Sequence, residues 1–220
     1  MWNVKDNSPL RETSSPGVLD GYLLSETCGC WVNSDIRKYV VGVDSLNALI
    51  LYERTKYTPL MGLAYRVKDE LKSYQPNFLE SHPILNLIGA CFEDGALRLF
   101  DPLIPACVST NFKAHKGPVH CISWTDRELD LITGGEDGSM KLWDLRMLEN
   151  GKPITEIVIE ENGTPVPVTS LAYNKEDSFF VAGRELLIFR DWVWRAENKL
   201  EFSEFLSKRG KRLKLMNYNE

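Results

Sequence analysis

The sequence predicts an all-β protein built from repeated antiparallel strands, and three observations support that fold class. Residues 114–144 read as a strand, a turn, a second strand, an Asp-Gly pair and a third strand. An Asp-Gly pair between two apolar runs is typical of a tight hairpin. The third strand has a copy at 94–101 that matches 137–144 position by position. Weaker copies at 48–53 and 186–190 show that this strand recurs along the chain.

These copies place the predicted strand units in order. Residues 1–194 form the repeat region, which opens with a strand remnant at 1–6. Its units are expected to end near residues 52, 100, 143 and 189. Pro153–Glu160 alternates between apolar and polar residues, so it is expected to form an outer fourth strand, and Val166–Tyr173 then starts the next unit.

Two segments do not follow the strand pattern. Tyr65–Glu80 is too polar for a core strand and is expected to be an insertion that could be briefly helical. Residues 195–220 are expected to form an outer strand or a short helix and then a basic tail. The cations of that tail are Lys208, Arg209, Lys211, Arg212 and Lys214. A solvated tail is the simpler interpretation, and nuclear import or a nucleic-acid contact is the alternative.

Composition and charge exclude several classes of protein. The 220 residues are 43% hydrophobic and 26% charged, as in ordinary globular domains. No apolar run reaches the roughly 18 residues that a membrane span needs, and we expect neither a membrane protein nor a secretory signal. The net charge of −5 argues against a broadly basic surface, so nucleic acid is an unlikely partner except through the tail.

The cysteines indicate a reducing compartment and no metal. Their count is odd and their spacing irregular, which favours free thiols in the cytoplasm or the nucleus. Cys28 and Cys30 form a C-x-C pair, but the chain lacks the second pair of ligands that a closed zinc site requires. None of the three histidines lies at zinc-finger spacing from a cysteine pair. We therefore expect no metal and no cofactor.

These patterns resemble the WD-repeat β-propeller family. The repeat period, the Ala114-His115 entry, the Asp-Gly turn and the Trp143-Asp144 ending all match that family. The resemblance covers roughly residues 18–192, and only 114–146 is close to consensus. It implies a β-propeller of four-stranded antiparallel blades.

The expected propeller is partial or incomplete, with about four to five blades, because seven blades would need roughly 300 residues. Three interpretations are open. The chain is a fragment or short product of a larger propeller, which we favour. Alternatively, it closes as a small or irregular ring with C-terminal residues supplying strands, or a partner chain completes it.

The resemblance also implies a structural tetrad of His115, Thr133, Asp137 and Trp143. The indole N–H, the hydroxyl, the imidazole and the carboxylate can form one hydrogen-bonded chain, with Asp137 buried and ionised. Such a chain stabilises a fold only when every member is satisfied. The other units depart from this pattern; the one ending near 100, for example, has Ala90 in place of Thr133.

Catalytic motifs are not found in the sequence. There is no Gly-x-Ser-x-Gly elbow, no phosphate-binding loop and no His-Glu-x-x-His. His115 and Asp137 could suggest an acid–base pair, but Thr133 and Trp143 fall where the tetrad needs them. We therefore expect a protein that is not an enzyme.

Two functional hypotheses follow. The first is a non-enzymatic interaction scaffold, a subunit of a larger intracellular complex that binds other proteins. Its candidate contact residues are Trp31, Trp192 and Trp194, although packing on a neighbouring blade would explain Trp192 and Trp194 equally well. The motor, pore, chromatin and transcription assemblies that contain such subunits are not distinguished by the sequence.

The alternative is a substrate receptor of a cullin–RING ubiquitin ligase. Trp143-Asp144-Leu145-Arg146 looks like the Trp-Asp-x-Arg box with which such receptors dock on the ligase's adaptor propeller. The resemblance assigns the docking contact to Asp144 and Arg146, because arginine makes directional, charge-assisted contacts. A ubiquitin-ligase adaptor is therefore the partner that this hypothesis names.

Overall fold

Three four-stranded antiparallel sheets follow one another along the chain in the computed structural model. The structure describes residues 2–3, 8–9, 18–19, 22–23, 26–43, 47–55, 59–65, 74–125, 127–161, 163–173, 180–181 and 188–189. Trp192, Trp194 and the whole of 195–220, including the basic tail, lie outside the described residues.

Four short strands precede the sheets and pair as two antiparallel ladders. They are β1 (Trp2–Asn3) with β2 (Ser8–Pro9) and β3 (Val18–Leu19) with β4 (Tyr22–Leu23). The first sheet consists of β5 (Glu26–Trp31), β6 (Lys38–Val43), β7 (Ala48–Glu53) and β8 (Pro59–Ala64). Neighbouring strands pair in sequence order, as in a meander.

The second and third sheets repeat this order. The second consists of β9 (Pro76–Ser81), β10 (Ile88–Phe92), β11 (Leu97–Phe100) and β12 (Cys107–Asn111). The third consists of β13 (Val119–Trp124), β14 (Asp130–Gly135), β15 (Ser139–Asp144) and β16 (Thr155–Val158). A 3₁₀ helix, Leu145–Asn150, connects β15 to β16. The outer strand expected within 153–160 is therefore present.

Four further short strands follow the third sheet. They are β17 (Glu160–Glu161), β18 (Thr164–Pro165), β19 (Phe180–Val181) and β20 (Ile188–Phe189), paired β17 with β18 and β19 with β20. Within the described part of the chain, no helix is long and apolar enough to cross a membrane.

The sheets stack face to face through their apolar side chains. One core lies between the first and second sheets and contains Leu51, Leu63 and Phe92. A second lies between the second and third sheets and contains Trp124 and Trp143. Because successive strand residues face opposite sides, each sheet is buried on both faces. This is the architecture of β-propeller blades, so the predicted all-β, partial β-propeller is confirmed.

Glycines on the second strand of each sheet permit this close stacking. An added Cβ would come 2.4 Å from the Pro76 ring at Gly42, 2.4 Å from the Ile122 side chain at Gly89, and 2.3 Å from Val168 at Gly134. Real Cβ atoms do not approach neighbours so closely, so these positions require a residue without a side chain.

The sequence prediction for Tyr65–Glu80 is wrong over its last residues. Pro76–Ser81 forms β9, the first strand of the second sheet. Its polar residues are accommodated because they bond to the next sheet: the Asn77 side-chain amide donates to the Val119 carbonyl at 2.9 Å. Pro76 is tolerated because it begins an edge strand, where its missing N–H is not needed.

Candidate functional site

A hydrogen-bonded chain of side chains crosses the third sheet. The Trp143 indole N–H donates to Thr133 Oγ1 at 2.8 Å, and Thr133 Oγ1 lies 2.7 Å from His115 Nε2. His115 Nδ1 lies 2.9 Å from Asp137 Oδ1. The structure therefore brings together all four residues assigned to the predicted tetrad.

Local structure explains this arrangement. Thr133 and Trp143 lie on the adjacent strands β14 and β15, and Asp137 lies in the turn between them. Gly138 closes that turn with a φ of 73°, a conformation that glycine adopts without strain. His115 precedes β13, and the chain of bonds thus ties that connection to the β14–β15 turn.

The directions of the bonds follow from the available donors. Thr133 Oγ1 accepts from the indole and therefore turns its own hydrogen toward His115 Nε2, which accepts it. His115 Nδ1 then carries the proton and donates to the Asp137 carboxylate. A single neutral tautomer of His115 satisfies the whole chain.

Ser139 is a fifth member of this cluster that the sequence analysis missed. Its hydroxyl donates to Asp137 Oδ1 at 2.7 Å and lies 3.0 Å from His115 Nδ1. The backbone N–H groups of Ser139 and Lys116 also donate to the Asp137 carboxylate, at 3.1 and 3.0 Å. The sequence pattern Asp137-Gly138-Ser139 could have indicated this contact, because a hydroxyl two residues after an aspartate in a tight turn can reach that carboxylate.

The electrostatics match the neutral tautomer. Burial lowers the pKa of His115 below its ordinary value, although Asp137 partly opposes this shift. Burial alone would raise the pKa of Asp137, but hydrogen bonds from His115, Lys116 and Ser139 outweigh it and hold that pKa well below its usual range. Near neutral pH, Asp137 is ionised and His115 is neutral.

This geometry restricts what the cluster can do chemically. The His115 side chain is completely buried, and both ring nitrogens already have partners within the cluster. An external substrate could reach His115 only by displacing one of those partners. The arrangement therefore favours support of the sheet over acid–base chemistry.

The second sheet carries a different polar group at the corresponding turn. Asp94 pairs with the completely buried Arg98 guanidinium, with an Nη2–Oδ2 distance of 2.7 Å. The guanidinium also lies 4.2 Å from the centre of the Phe92 ring and 5.0 Å from that of Tyr65. This sheet thus uses an ion pair between aromatic rings where the third uses a largely neutral chain.

Asp144 and Arg146 lie at the surface immediately after β15. Arg146 Nε donates to Asp144 Oδ1 at 2.9 Å, and this bond is the main cause of the lowered pKa of Asp144. Asp144 also accepts from the Arg146 backbone N–H at 2.9 Å, which starts the 3₁₀ helix. The Arg146 side chain is 68% exposed, so it faces solvent while it pairs with Asp144.

Trp31 is 39% exposed at the end of β5. Its ring meets that of Tyr39 edge to face at 5.6 Å, and Arg54 lies 6.0 Å from its centre. Trp31 also lines a surface pocket of about 400 Å³ together with residues 27–30 of β5. Trp31 is thus partly packed and partly available for contact.

The cysteines of the chain are free thiols, and burial raises the pKa of both Cys30 and Cys121 to about 12. These two thiols stay protonated near neutral pH and are poor nucleophiles. Among the described residues, no group of three or more histidine, cysteine, aspartate or glutamate side chains could hold a metal ion.

The fold and the cluster are those of a β-propeller protein, with stacked blades and a Trp–Thr–His–Asp hydrogen-bonded chain in one of them. Residues 105–144 match the family model described as "WD domain, G-beta repeat". The chain therefore contains a WD repeat, and the predicted resemblance to WD-repeat proteins is confirmed. The matched repeat begins with β12 of the second sheet and ends with β15 of the third, so it joins two blades.

Several curated proteins are similar to parts of the chain. The ribosome biogenesis protein WDR12 homolog of Trichoplax adhaerens is 36% identical over 69 residues, which are 29% of this chain and 16% of that protein. The GATOR2 complex protein WDR24 of Homo sapiens is 40% identical over 55 residues, or 24% of this chain and 7% of that protein.

The THO complex subunit 6 homolog of Danio rerio is 44% identical over 34 residues, or 16% of this chain and 10% of that protein. These matches span well under a fifth of each relative's length. They establish that the repeat is similar. They do not extend the activity or the partners of these relatives to this chain.

Proposed function

We propose that this protein is a non-enzymatic interaction scaffold, a WD-repeat subunit of a larger complex in the cytoplasm or the nucleus. The observation that carries the proposal is the internal satisfaction of the His115 cluster. The groups that could have supplied acid–base chemistry bond to one another, so their role in this proposal is to hold the blade rigid.

The relatives support the same proposal. Two of the three are named as members of complexes, GATOR2 and THO, and the third is named for ribosome biogenesis. The free cysteines are compatible with a reducing compartment. Rigid blades present fixed loops and edges, which is what a protein-binding surface requires.

The test is a size measurement of the intact tagged chain from cell extract. A scaffold is expected to elute well above its own mass of 25.1 kDa, with co-purifying proteins in fixed ratio. Tagging those proteins is then expected to recover the chain. Elution from extract as a monomer, with no protein in fixed ratio, would contradict the proposal.

The ligase-receptor hypothesis has one structural observation in its favour, the exposed guanidinium of Arg146, which pairs with Asp144 directly after β15. Capture of a ligase adaptor by the intact chain, lost in Arg146→Ala, would support it. Lys113→Ala is the control, because Lys113 is an exposed cation on the β12–β13 connection, away from the paired Asp130 and Asp144. Equal capture by both variants, or none by the intact chain, would contradict the hypothesis.

A further inference from the structure

One end of the first two sheets carries exposed apolar side chains. Because consecutive antiparallel strands alternate in direction, the β9–β10 loop and the segment after β11 lie at one end of the second sheet. Hydrogen bonds from Asn33 to Ser81 and His82 place the β5–β6 loop at the same end. Ile36, Ile84 and Leu103 lie on these three connections and are 72%, 63% and 70% exposed. We call this surface the loop face and define it by Ile36, Arg37, Arg54, Ile84, Leu103 and Ile104.

Hydrogen bonds between the sheets hold the loop face together. The Asn33 side-chain amide donates to the carbonyls of Ser81 and His82 at 3.0 and 3.2 Å, and the Ser34 hydroxyl donates to the Asn86 side chain. These bonds cross from the β5–β6 loop to the second sheet. The apolar side chains therefore sit on a braced surface, which reduces the entropy lost when a partner binds.

Bonds within the second sheet extend this bracing. The Asn86 amide donates to Asp101 Oδ1 at 2.6 Å, and the backbone N–H of Leu103 donates to the same oxygen at 2.9 Å. The segment that carries Leu103 and Ile104 is thereby joined to the loop that carries Ile84.

The charges of the loop face are arranged with the cations outward. Arg37 is 74% exposed, whereas its partner Asp35 is only 23% exposed and also contacts Lys38. Arg54 is exposed beside it, and the Arg54 backbone N–H donates to the Arg37 carbonyl at 2.7 Å. Asp101 is already occupied by the bonds described above. A guanidinium has five N–H groups, so Arg37 can bind a second carboxylate while it keeps Asp35.

We propose that the loop face binds a peptide segment of a partner protein in which acidic side chains lie next to aliphatic or aromatic ones. The apolar residues would contact Ile84, Leu103 and Ile104, and the carboxylates would contact Arg37 and Arg54. Buried apolar contact with neighbouring arginines is typical of the residues that dominate protein interfaces. This inference rests on the proposed scaffold function and names the surface and the partner's chemistry.

A nucleic acid fits the loop face less well. Phosphate would suit the two arginines, and Trp31 beside Arg54 is one ring on which a base could stack, but Ile36, Ile84, Leu103 and Ile104 are aliphatic and offer a base no ring. The net charge of −5 also opposes approach of a polyanion.

The test begins with selection of random short peptides displayed on phage against the intact chain. Enriched peptides are expected to combine aspartate or glutamate with leucine, isoleucine or phenylalanine. Labelled copies are then titrated by fluorescence anisotropy against two loop-face variants, the double variant Ile84→Ser with Leu103→Ser, and Arg37→Glu. Each is expected to weaken binding about tenfold or more, as loss of a central interface contact does.

Matched controls lie elsewhere on the same sheets. Lys113→Glu reverses an exposed charge at the opposite end, and Val158→Ser removes an exposed apolar side chain from the outer strand β16. Both are expected to bind the selected peptides normally. All substitutions are at exposed side chains, and thermal melts check that each variant folds.

Several results would overturn the inference: no enrichment, enrichment of basic peptides, equal binding by loop-face and control variants, or displacement of the peptides by an RNA oligonucleotide. If the intact chain still elutes in a heavier complex and the loop-face variants do too, the scaffold function stands and this assignment fails. If the intact chain elutes alone, the scaffold function itself fails.

Discussion

The second and third sheets stabilise the aspartate of the same turn with different side chains. Each has an Asp-Gly turn between its second and third strands, and the aspartate needs partners there. In the third sheet, the Asp137 carboxylate accepts hydrogen bonds from His115 and from the Ser139 hydroxyl. In the second sheet, the Asp94 carboxylate accepts hydrogen bonds from the buried Arg98 guanidinium. The turn is thus the constant feature, and the group that satisfies its carboxylate varies with the rings and hydroxyls nearby.

The comparison extends to the aromatic residue at the end of the third strand. Trp143 and Phe100 are both buried in the cores between sheets. The Trp143 indole N–H donates a hydrogen bond to Thr133. Phe100 has no such N–H, and the neighbouring strand β10 carries Ala90 in place of the threonine. The change of ring and the change of partner occur together: the indole N–H of Trp143 has its acceptor, and Phe100 has no N–H that needs one.

The largest expected effect comes from removing the third-sheet ring. Trp143→Ala is expected to lower the free energy of unfolding by roughly 3–5 kcal/mol, because it leaves a cavity in the core. Trp143→Phe, which keeps a ring but leaves Thr133 without its indole donor, is expected to cost less, about 1–2 kcal/mol. Urea unfolding of both variants checks this, and equal losses would show that packing alone does not explain the site.

Removing the second-sheet carboxylate tests the ion pair. Asp94→Ala removes the carboxylate that pairs with the buried Arg98 guanidinium and is expected to cost roughly 3 kcal/mol. The double variant Asp94→Ala with Arg98→Met is expected to recover most of that loss, because both charges are then gone. Should the double variant be no more stable than Asp94→Ala in urea unfolding, the pair would not be the reason for the loss.

The equivalent change in the third sheet is expected to be milder. Asp137→Ala leaves neutral donors, those of His115 and Ser139, without an acceptor, at a cost of about 1–3 kcal/mol. Thermal melts of the two alanine variants, measured side by side, are expected to rank Asp94→Ala below Asp137→Ala. A melt of Asp137→Ala that matches the unchanged chain would contradict the structural role of the cluster.

The smallest expected effect is on pH dependence. The pKa of folded His115 lies below its ordinary value of 6.5, because burial disfavours the charged ring. The unfolded chain therefore binds more protons as pH falls below 6.5, and the free energy of unfolding is expected to fall, by at most about 1.4 kcal/mol per pH unit. The lowered pKa of Asp137 adds a further loss at lower pH, below its ordinary value of 3.8.

The titration of Glu80 changes the free energy of unfolding in the opposite direction, so the measurement is made in variants that lack this carboxyl group. Burial raises its pKa from 4.5 to about 7, so the folded chain binds more protons in that interval and gains stability as pH falls. Urea unfolding above and below pH 6.5 is therefore compared between Glu80→Gln and Glu80→Gln with His115→Gln. The first is expected to lose more stability on acidification, and parallel curves would contradict the neutral state of His115.

The sequence was sufficient for the features that depend on neighbouring residues along the chain. The Asp-Gly turns, the recurring third strand and the outer strand after Trp143 are local patterns, and strands occur there. The four side chains of the hydrogen-bonded chain came from the resemblance to WD repeats, and the structure brings them within hydrogen-bond distance of one another.

Apart from Ser139, which bonds within its own turn, the features that the sequence analysis missed depend at least in part on contacts between sheets. The polar strand β9 is stable because Asn77 bonds to β13, which no local pattern shows. Arg98 is charged and would ordinarily be placed at the surface, yet it is buried because Asp94 and the rings of Tyr65, Phe92 and Phe112 surround it. Asp94 lies in the same hairpin, but Tyr65 follows the first sheet and reaches Arg98 only when the two sheets stack.

The glycines of the second strands have a consequence for how the stack continues. Gly42 leaves a slot one side chain wide for Pro76, and Gly89 leaves the same slot for Ile122. At Gly134 the slot holds Val168, although residues 166–173 form no strand. The preceding sheet thus provides the position against which the first residues of the next blade pack. Val168 packs there in the same way as Pro76 and Ile122, although its segment forms no strand. The close spacing between blades therefore depends on positions without side chains, and a methyl group at Gly42 or Gly134 would push the neighbouring Pro76 or Val168 away from the sheet.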